Sequence, residues 1–241
     1  MTMLLCDFHI HTTFSDGTVP MREAVDIYGQ AGFDVIALTD HIVNKDNSLG
    51  TWAERLNKTI TEENFDEYMD ELASEAKRAQ EKYGMLVIPG AEITKNYISE
   101  KESAHVLVLD IRDFISADLP WMEIFAEARA QGSLIVACHP HYTEHEIHDT
   151  LYFWNHREKF APYFDAWEVA NRTDLFSCVS LSNFPLLANS DFHQASHLYS
   201  WKTLLPCAKE IAAVKECIRD NRGVAITMFR NGTSRFGRNG E

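Results

Sequence analysis

The chain has 241 residues, 45% of them hydrophobic and 24% charged, enough for one sizeable core and an ordinary length for a single barrel-type domain over residues 1–241. Its formal charge of -14, with no basic patch interleaved with aromatics, argues against a stable nucleic-acid partner, although bound divalent ions would still let an acidic protein take a phosphorylated substrate. No apolar run is long enough to span a bilayer, and the opening MTMLLCDFHIH lacks the basic and apolar regions of a secretion signal, so no membrane is expected and the cytoplasm is the expected location.

In chain order, the short apolar run Met3 to Cys6 predicts a first strand, followed at once by Asp7-Phe8-His9-Ile10-His11. Side chains alternate along a strand, so His9 and His11 share a face, and Asp16 follows on the next turn. Met21, Ala24, Val25, Tyr28 and Ala31 stripe a first helix between Pro20 and Gly32. Phe33 to Thr39 is apolar on both faces, as in a buried parallel strand, and ends in Asp40-His41. Residues 42–60 read as a long loop with a short helix around Trp52 to Leu56. Thr61 then caps a helix with the stripe Phe65, Tyr68, Met69, Leu72, Ala76, Ala79 and Tyr83, ended by Gly84.

Met85 to Ile88 predicts a third strand, closing with Pro89-Gly90-Ala91-Glu92, and Ala104 to Asp110 a fourth, with His105 at its start. A helix from Asp118 and Pro120 to Gln131 leads to a fifth strand, Leu134 to Cys138, and then His139-Pro140-His141. Thr143-x-x-Glu146 resembles a capping box for a helix with Ile147, Leu151 and Trp154 on one face. Ala166 to Ala170 and Leu186 to Asn189 are strands six and seven, the latter leading to Ser190-Asp191-Phe192-His193. Trp201 to Leu205 is extended, Ile211, Val214 and Ile218 stripe a last helix, and Val224 to Phe229 forms a final strand before a polar tail, 230–241, that frays. Alternating strands and helices imply a parallel sheet. Polar residues at strand end after strand end favour a closed barrel with one mouth. Five cysteines form no CxxC pair; Cys6 and Cys138 lie in apolar runs and read as small buried hydrophobes.

The residues gathered at these strand ends are His9, His11, Asp16, Asp40, His41, Glu92, His105, His139, His141, Asp191 and His193. Any one of them has an ordinary explanation, and an HxH pair alone is weak. Nine of them together, six imidazoles and three carboxylates with Asp40 and His141 set aside, do not, because burying them without a cation costs several kcal/mol for each group left unpaired. Nine ligands exceed the needs of one ion and suit a cluster of two or three divalent ions. Imidazole and carboxylate without thiolate point to Zn, Mn or Fe. His145, His148 and His156, with Glu144, fall on a predicted helix and are expected to face solvent.

The runs DFHIHTTFSDGT (7–18), ALTDH (37–41), PGAEIT (89–94), HVLVLD from His105, HPH (139–141) and SDFH (190–193) resemble, in order and spacing, the PHP family of polymerase and histidinol phosphatase domains. The resemblance implies a distorted seven-stranded (β/α) barrel, TIM-barrel-like, with up to three metal ions in its mouth. It implies that His9, His11, Glu92 and Asp191 hold the first ion, Asp16, His41 and His193 the second, and Glu92, His105 and His139 the third. Some members carry His at the position of Asp16. The aspartate resembles the branch of small phosphoesterases more than the histidinol phosphate phosphatases.

The chemistry expected is hydrolysis of a small phosphate monoester or diester by a hydroxide shared between two ions about 3.5–4 Å apart. His141, or a metal-bound water oriented by Asp40, would protonate the leaving group; Asp7 and Asp40 would also orient ligand imidazoles as hydrogen-bond acceptors. Arg172, Lys45 and Lys95 are candidates to bind the remaining phosphate oxygens. The competing readings are an amidohydrolase, which also opens with HxH but usually ends in a single metal-binding Asp, and a non-catalytic barrel that binds metal or a phosphorylated ligand.

Overall fold

The computed structural model describes residues 3–45, 58–97, 99, 101–143 and 150–230. The short helix expected around Trp52 to Leu56, Glu144, His145, Glu146, Ile147 and His148, and the tail from 231 lie outside these residues. Among the described residues one sheet holds eleven strands. They are β1 (Leu4–Asp7), β2 (Val35–Leu38), β3 (His41–Val43), β4 (Leu86–Lys95), β5 (Ala104–Leu109), β6 (Leu134–Ala137), β7 (Ala166–Asn171), β8 (Asp174–Leu175), β9 (Leu186–Asn189), β10 (Trp201–Leu205) and β11 (Ala225–Met228).

Seven of them, β1-β2-β4-β5-β6-β7-β9, follow one another around a curled wall. A bridge between Ile10 and Phe192 brings the end of β9 back beside the end of β1. This is the distorted seven-stranded barrel, with the seven strands at the positions the apolar runs predict. β10 and β11 extend the sheet outward from β1 as antiparallel neighbours.

The wall is not all parallel. β5 runs antiparallel to both β4 and β6. The physical reason is the connection: β4 ends at Lys95 and β5 starts at Ala104, too short a span for the helical crossover that parallel strands need. The reversal puts the start of β5, and so His105, at the same end of the barrel as the finishes of the other strands. β4 is also longer than expected and runs straight through Pro89-Gly90. Gly90 is there for close approach rather than for a turn: a Cβ would lie 2.8 Å from Thr39 Cγ2 and 3.0 Å from the Leu38 carbonyl oxygen.

The four long helices are α1 (Met21–Gln30), α2 (Phe65–Tyr83), α3 (Trp121–Ala130) and α4 (Ile211–Asp220). α2 begins four residues later than Thr61, because Asn64 Oδ1 accepts the Thr61 N–H at 2.7 Å and closes a turn ahead of the helix. Its C-terminus is capped by Gly84 at φ 62°, the left-handed conformation glycine tolerates best. The buried stripes of α1, α2 and α3 form the larger apolar cluster with the outward faces of the strands. The inward faces, among them Cys6, Val35, Ile88, Leu107, Val136 and Leu187, form a second cluster that α4 joins through Val214 and Ile218. α4 is held there by Lys215 on the Gly132 carbonyl (3.0 Å) and Arg219 on Asp165 (3.0 Å), residues that immediately precede β6 and β7. The barrel floor is therefore apolar and closed, and polar side chains gather at the opposite end. No described helix is long and apolar enough to cross a membrane.

Candidate metal centre

Period-two alternation carries the inward face upward from the apolar layer into polar residues. On β4 the sequence of inward positions is Leu86, Ile88, Gly90, Glu92, Thr94. On β5 His105 is inward with Leu107 and Leu109, and on β7 Glu168 is inward with Ala166.

Among the described residues four groups of possible ligand atoms form there, each with its atoms within 4.8 Å of one another: His9, His11 and Asp191; His11, Asp16, His41 and His193; Glu92, His105 and His139; and His9, Glu92 and Cys138. Asp191 Oδ1 lies 3.3 Å from His9 Nε2 and 3.2 Å from His11 Nε2. Asp16 Oδ1 lies 3.4 Å from His41 Nε2 and 3.2 Å from His193 Nε2. Glu92 stands between the groups. Its Oε1 is 3.0 Å from His105 Nδ1, 3.4 Å from His139 Nε2 and 3.5 Å from His9 Nε2, while its Oε2 is 2.8 Å from His41 Nδ1 and 3.5 Å from His11 Nε2. All nine residues expected from the strand ends are brought together, with Glu92 fully buried and Asp16 at the open rim, its side chain 48% exposed.

Whether a cation fits can be judged from unmet polar atoms. His9 Nε2 and both ring nitrogens of His11 are buried without a hydrogen-bond partner. On His9 the other nitrogen, Nδ1, faces Glu168 Oε1 at 3.0 Å. A carboxylate acceptor there selects the tautomer with its proton on Nδ1. In the neutral ring Nε2 is then a lone pair aimed at two carboxylate oxygens, an arrangement that repels unless a proton or a metal ion lies between. The donor set, imidazole and carboxylate on a buried floor, is one that divalent transition metals accept.

The electrostatics of the protein without ions say the same. Burial alone would push His9 down, yet Asp191, Glu168 and Glu92 hold its pKa well above the usual imidazole value. His41 is likewise raised, to about 10, by Glu92 and Asp16 against burial. Burial would raise Glu92, but His41, His9 and His105 hold it well below the ordinary carboxylate range. His11 goes the other way, to about 3, through burial and the neighbouring His193 and His41. Protons on some imidazoles thus balance a charge that metal ions would otherwise balance.

The surrounding contacts fix the candidate ligands. His41 Nδ1 meets Thr94 Oγ1 at 2.7 Å, His139 Nδ1 meets Thr150 Oγ1 at 3.0 Å, and His105 Nε2 meets Asn96 Oδ1 at 2.8 Å. Asp7 and Asp40, expected to orient imidazoles, touch none in the structure. Asp40 instead accepts the Thr12 N–H (2.7 Å), the Thr12 hydroxyl (2.9 Å) and the Ser15 hydroxyl (2.6 Å), bracing the turn that carries Asp16. Asp7 faces away from the mouth. It accepts from Tyr28 of α1 (2.8 Å) and Lys202 of β10 (2.9 Å), and its other oxygen takes the Ser190 N–H (3.1 Å), bracing the turn that carries Asp191. Strict alternation would put Asp7 and His9 on one face. The strand ends at Asp7, however, and the Phe8 N–H goes to Asn189 Oδ1 rather than to a ladder partner, so alternation is interrupted between them.

The remaining candidates are spread out. Arg172 reaches Asp191 Oδ2 at 3.1 Å and His193 Nδ1 at 3.3 Å, at the edge of the cluster. Arg172 and Asp191 both have φ 47°, left-handed backbone that non-glycine residues rarely adopt and that concentrates at functional sites. Lys95 is on the outward side of β4, its ammonium on the Leu119 carbonyl and 4.8 Å from the centre of the Trp121 ring. Lys45 is exposed, its backbone N–H on Asp118. His141 lies against the rings of Tyr142 and Trp154, 5.1 Å and 5.9 Å between centroids, and is in none of the four groups. His156 is exposed, as expected.

Two residues escape the reading of strand ends. Glu168 sits inside β7 rather than at its end, and the detectable signal is a single acid on the inward face of the otherwise uncharged strand AWEVAN. Cys138 has its sulfur within 4.8 Å of ligand atoms of His9 and Glu92. It is buried as expected, but it lines the cluster as well as filling the core.

The model of the PHP domain family matches residues 7–199. No curated protein matches the chain. Among solved structures the fold is similar to that of a two-domain protein from Bacteroides vulgatus containing a predicted PHP-like metal-dependent phosphoesterase. The TM-score is 0.71 at 23% identity, covering 95% of this chain and 65% of that one, so this chain spans less than two thirds of that relative's length. It is also similar to PsfC from Pseudomonas syringae PB-5123, with a TM-score of 0.58 at 17% identity over 95% of this chain and 92% of the other. At these identities the likeness bears on the fold.

Proposed function

This chain belongs to the PHP domain family, and from that premise we propose that it is a metal-dependent hydrolase of a small phosphate monoester or diester. The observation that carries the reading is Glu92: one fully buried carboxylate with five imidazoles around it, standing between groups of ligand atoms on different strands. Divalent ions bound there would supply Lewis acidity toward phosphate oxygens and lower the pKa of water.

The ligand sets we assign are His9, His11, Glu92 and Asp191; Asp16, His41 and His193; and Glu92, His105 and His139. Zn, Mn or Fe suits them. The chain's own residues do the rest. Asp16 and His193 hold the rim, where substrate enters. Arg172 sits beside Asp191 with a guanidinium that can turn to a phosphate oxygen. His141, on the strand end that follows His139, is the candidate proton donor to the leaving alcohol, and Asp40 keeps the Thr12–Ser15 turn in place.

The test is direct. Metal content is measured on the purified protein, and hydrolysis of an aryl phosphate and a bis-aryl phosphodiester is followed with added Mn2+ or Zn2+. Turnover of either ester, abolished by chelation, is the expected result. A protein with its metal sites filled that hydrolyses neither is not a phosphoesterase of this kind. The monoester to diester rate ratio assigns the substrate class.

A further inference from the structure

Glu168 makes four contacts and is fully buried. Its Oε1 faces His9 Nδ1 at 3.0 Å and accepts from Asn189 Nδ2 at 2.8 Å. Its Oε2 accepts the backbone N–H of His139 at 2.7 Å and Asn171 Nδ2 at 3.0 Å. The amide of Asn189 is oriented independently, because its Oδ1 is taken by the Phe8 N–H at 2.9 Å. Both carboxylate oxygens therefore face donors. A glutamine has one acceptor oxygen and would turn its own NH2 toward two of them, so the cage is built for an anion.

Two of the groups it holds belong to different sets of ligand atoms. His9 lies with His11 and Asp191, and His139 lies with Glu92 and His105. The ring of His9 is fixed directly. Glu168 fixes His139 through its backbone N–H at the place where β6 ends, while Thr150 orients the ring and donates to the His139 carbonyl oxygen at 2.7 Å. Contacts of this kind to a ligand are worth about 10–100-fold in metal affinity.

We propose that Glu168 is the positioning residue that ties two of the metal positions together: one fixed carboxylate sets the ring of His9 and the backbone of His139, so that both positions depend on it. This rests on the metal-binding reading above.

The experiment uses the full chain stripped with chelator and titrated with Co2+, followed by visible absorption and by bound cobalt per chain. The parent protein is compared with Glu168→Gln and Thr150→Val, and thermal melts of each metal-free protein show whether the fold is retained. Glu168→Gln is expected to weaken two of the bound ions about 10–100-fold, with the metal-free melt close to that of the parent. Thr150→Val, which releases the His139 ring and its carbonyl oxygen but leaves the Glu168 contacts to His9 and to the His139 N–H in place, is expected to weaken one. Loss at one ion or none in a folded Glu168→Gln protein overturns the proposal. If Glu168→Gln does not fold, Asn171→Ala removes a single donor to Oε2 without touching a ligand. A several-fold weakening of the same two ions then supports the coupling, and unchanged binding overturns it. A parent protein that takes up no Co2+ refutes the metal reading itself, which is a separate outcome.

Discussion

The carboxylate of Asp40 accepts the backbone N–H of Thr12 at 2.7 Å across 28 residues of sequence. With the Thr12 and Ser15 hydroxyls it makes three hydrogen bonds into one turn, and Asp16 is the next residue along. A buried acid at the end of β2 thereby sets the position of a rim carboxylate at the end of β1. Asp40→Ala leaves three buried or half-buried donors unmet. A loss of about 1–3 kcal/mol in stability is expected, with the ion nearest Asp16, His41 and His193 lost first on dialysis. Chemical denaturation and metal analysis check it; loss of all ions in parallel would show that the turn has no local role.

Glu92→Ala should strip metal from two positions at once, since Glu92 lies against His9 and His11 on one side and His105 and His139 on the other. Metal per chain measured by elemental analysis should fall by more than one ion, and phosphoester hydrolysis by at least about 100-fold. A variant that loses a single ion would refute the bridging position.

The Lys202–Asp7 pair is fully buried at 2.9 Å. Lys202→Met removes the cation and leaves Asp7 with Tyr28 and the Ser190 N–H, at an expected cost of about 3–5 kcal/mol. Asp7→Asn with Lys202→Met should cost less than the two single changes added together, because neither charge is then stranded. Urea melts of the four proteins give the comparison; simple additivity would mean that the pair does not act as a unit.

The pH dependence should reverse sign with metal. In the metal-free protein His41 is raised to about 10. Its contribution to stability is complete below its unfolded value of about 6.5 and is lost as pH rises toward 10. Glu92 and Asp191 are depressed, each against burial, by neighbouring imidazoles; their contribution is complete above about pH 4.5 and is lost on acidification. His11, lowered to about 3, adds a cost that grows as pH falls below its unfolded value of about 6.5, so metal-free stability should be greatest at about pH 6.5. Metal needs neutral imidazoles, so the rise in Tm on adding Zn2+ should grow from about pH 6 to 9. A rise that is flat or shrinks over that range would contradict the coupling of these histidines to metal.

Much of this was legible in one dimension. Apolar runs placed all seven wall strands, because a strand buried on both faces leaves an uninterrupted apolar trace. The residues after each run marked the mouth, because consecutive parallel strands finish at the same end of a barrel. His9, His11, Glu92, His139 and Asp191 needed nothing more. The direction of β5 was already implied by the short connection from Lys95 to Ala104, yet His105 stood at the correct end whether or not that was noticed.

What only the tertiary structure decided is where the acids other than Asp16, Glu92 and Asp191 point. Asp7 and Asp40 sit beside ligand motifs in sequence, yet one brace faces Lys202 and Tyr28 and the other faces Thr12 and Ser15. Glu168, inside a strand and away from every motif, is the carboxylate that meets His9. The physical reason is that hydrogen bonds are made across the barrel between residues far apart in sequence. Sequence determines which face of its own strand a side chain takes; which partner waits opposite is decided by the closure of the sheet.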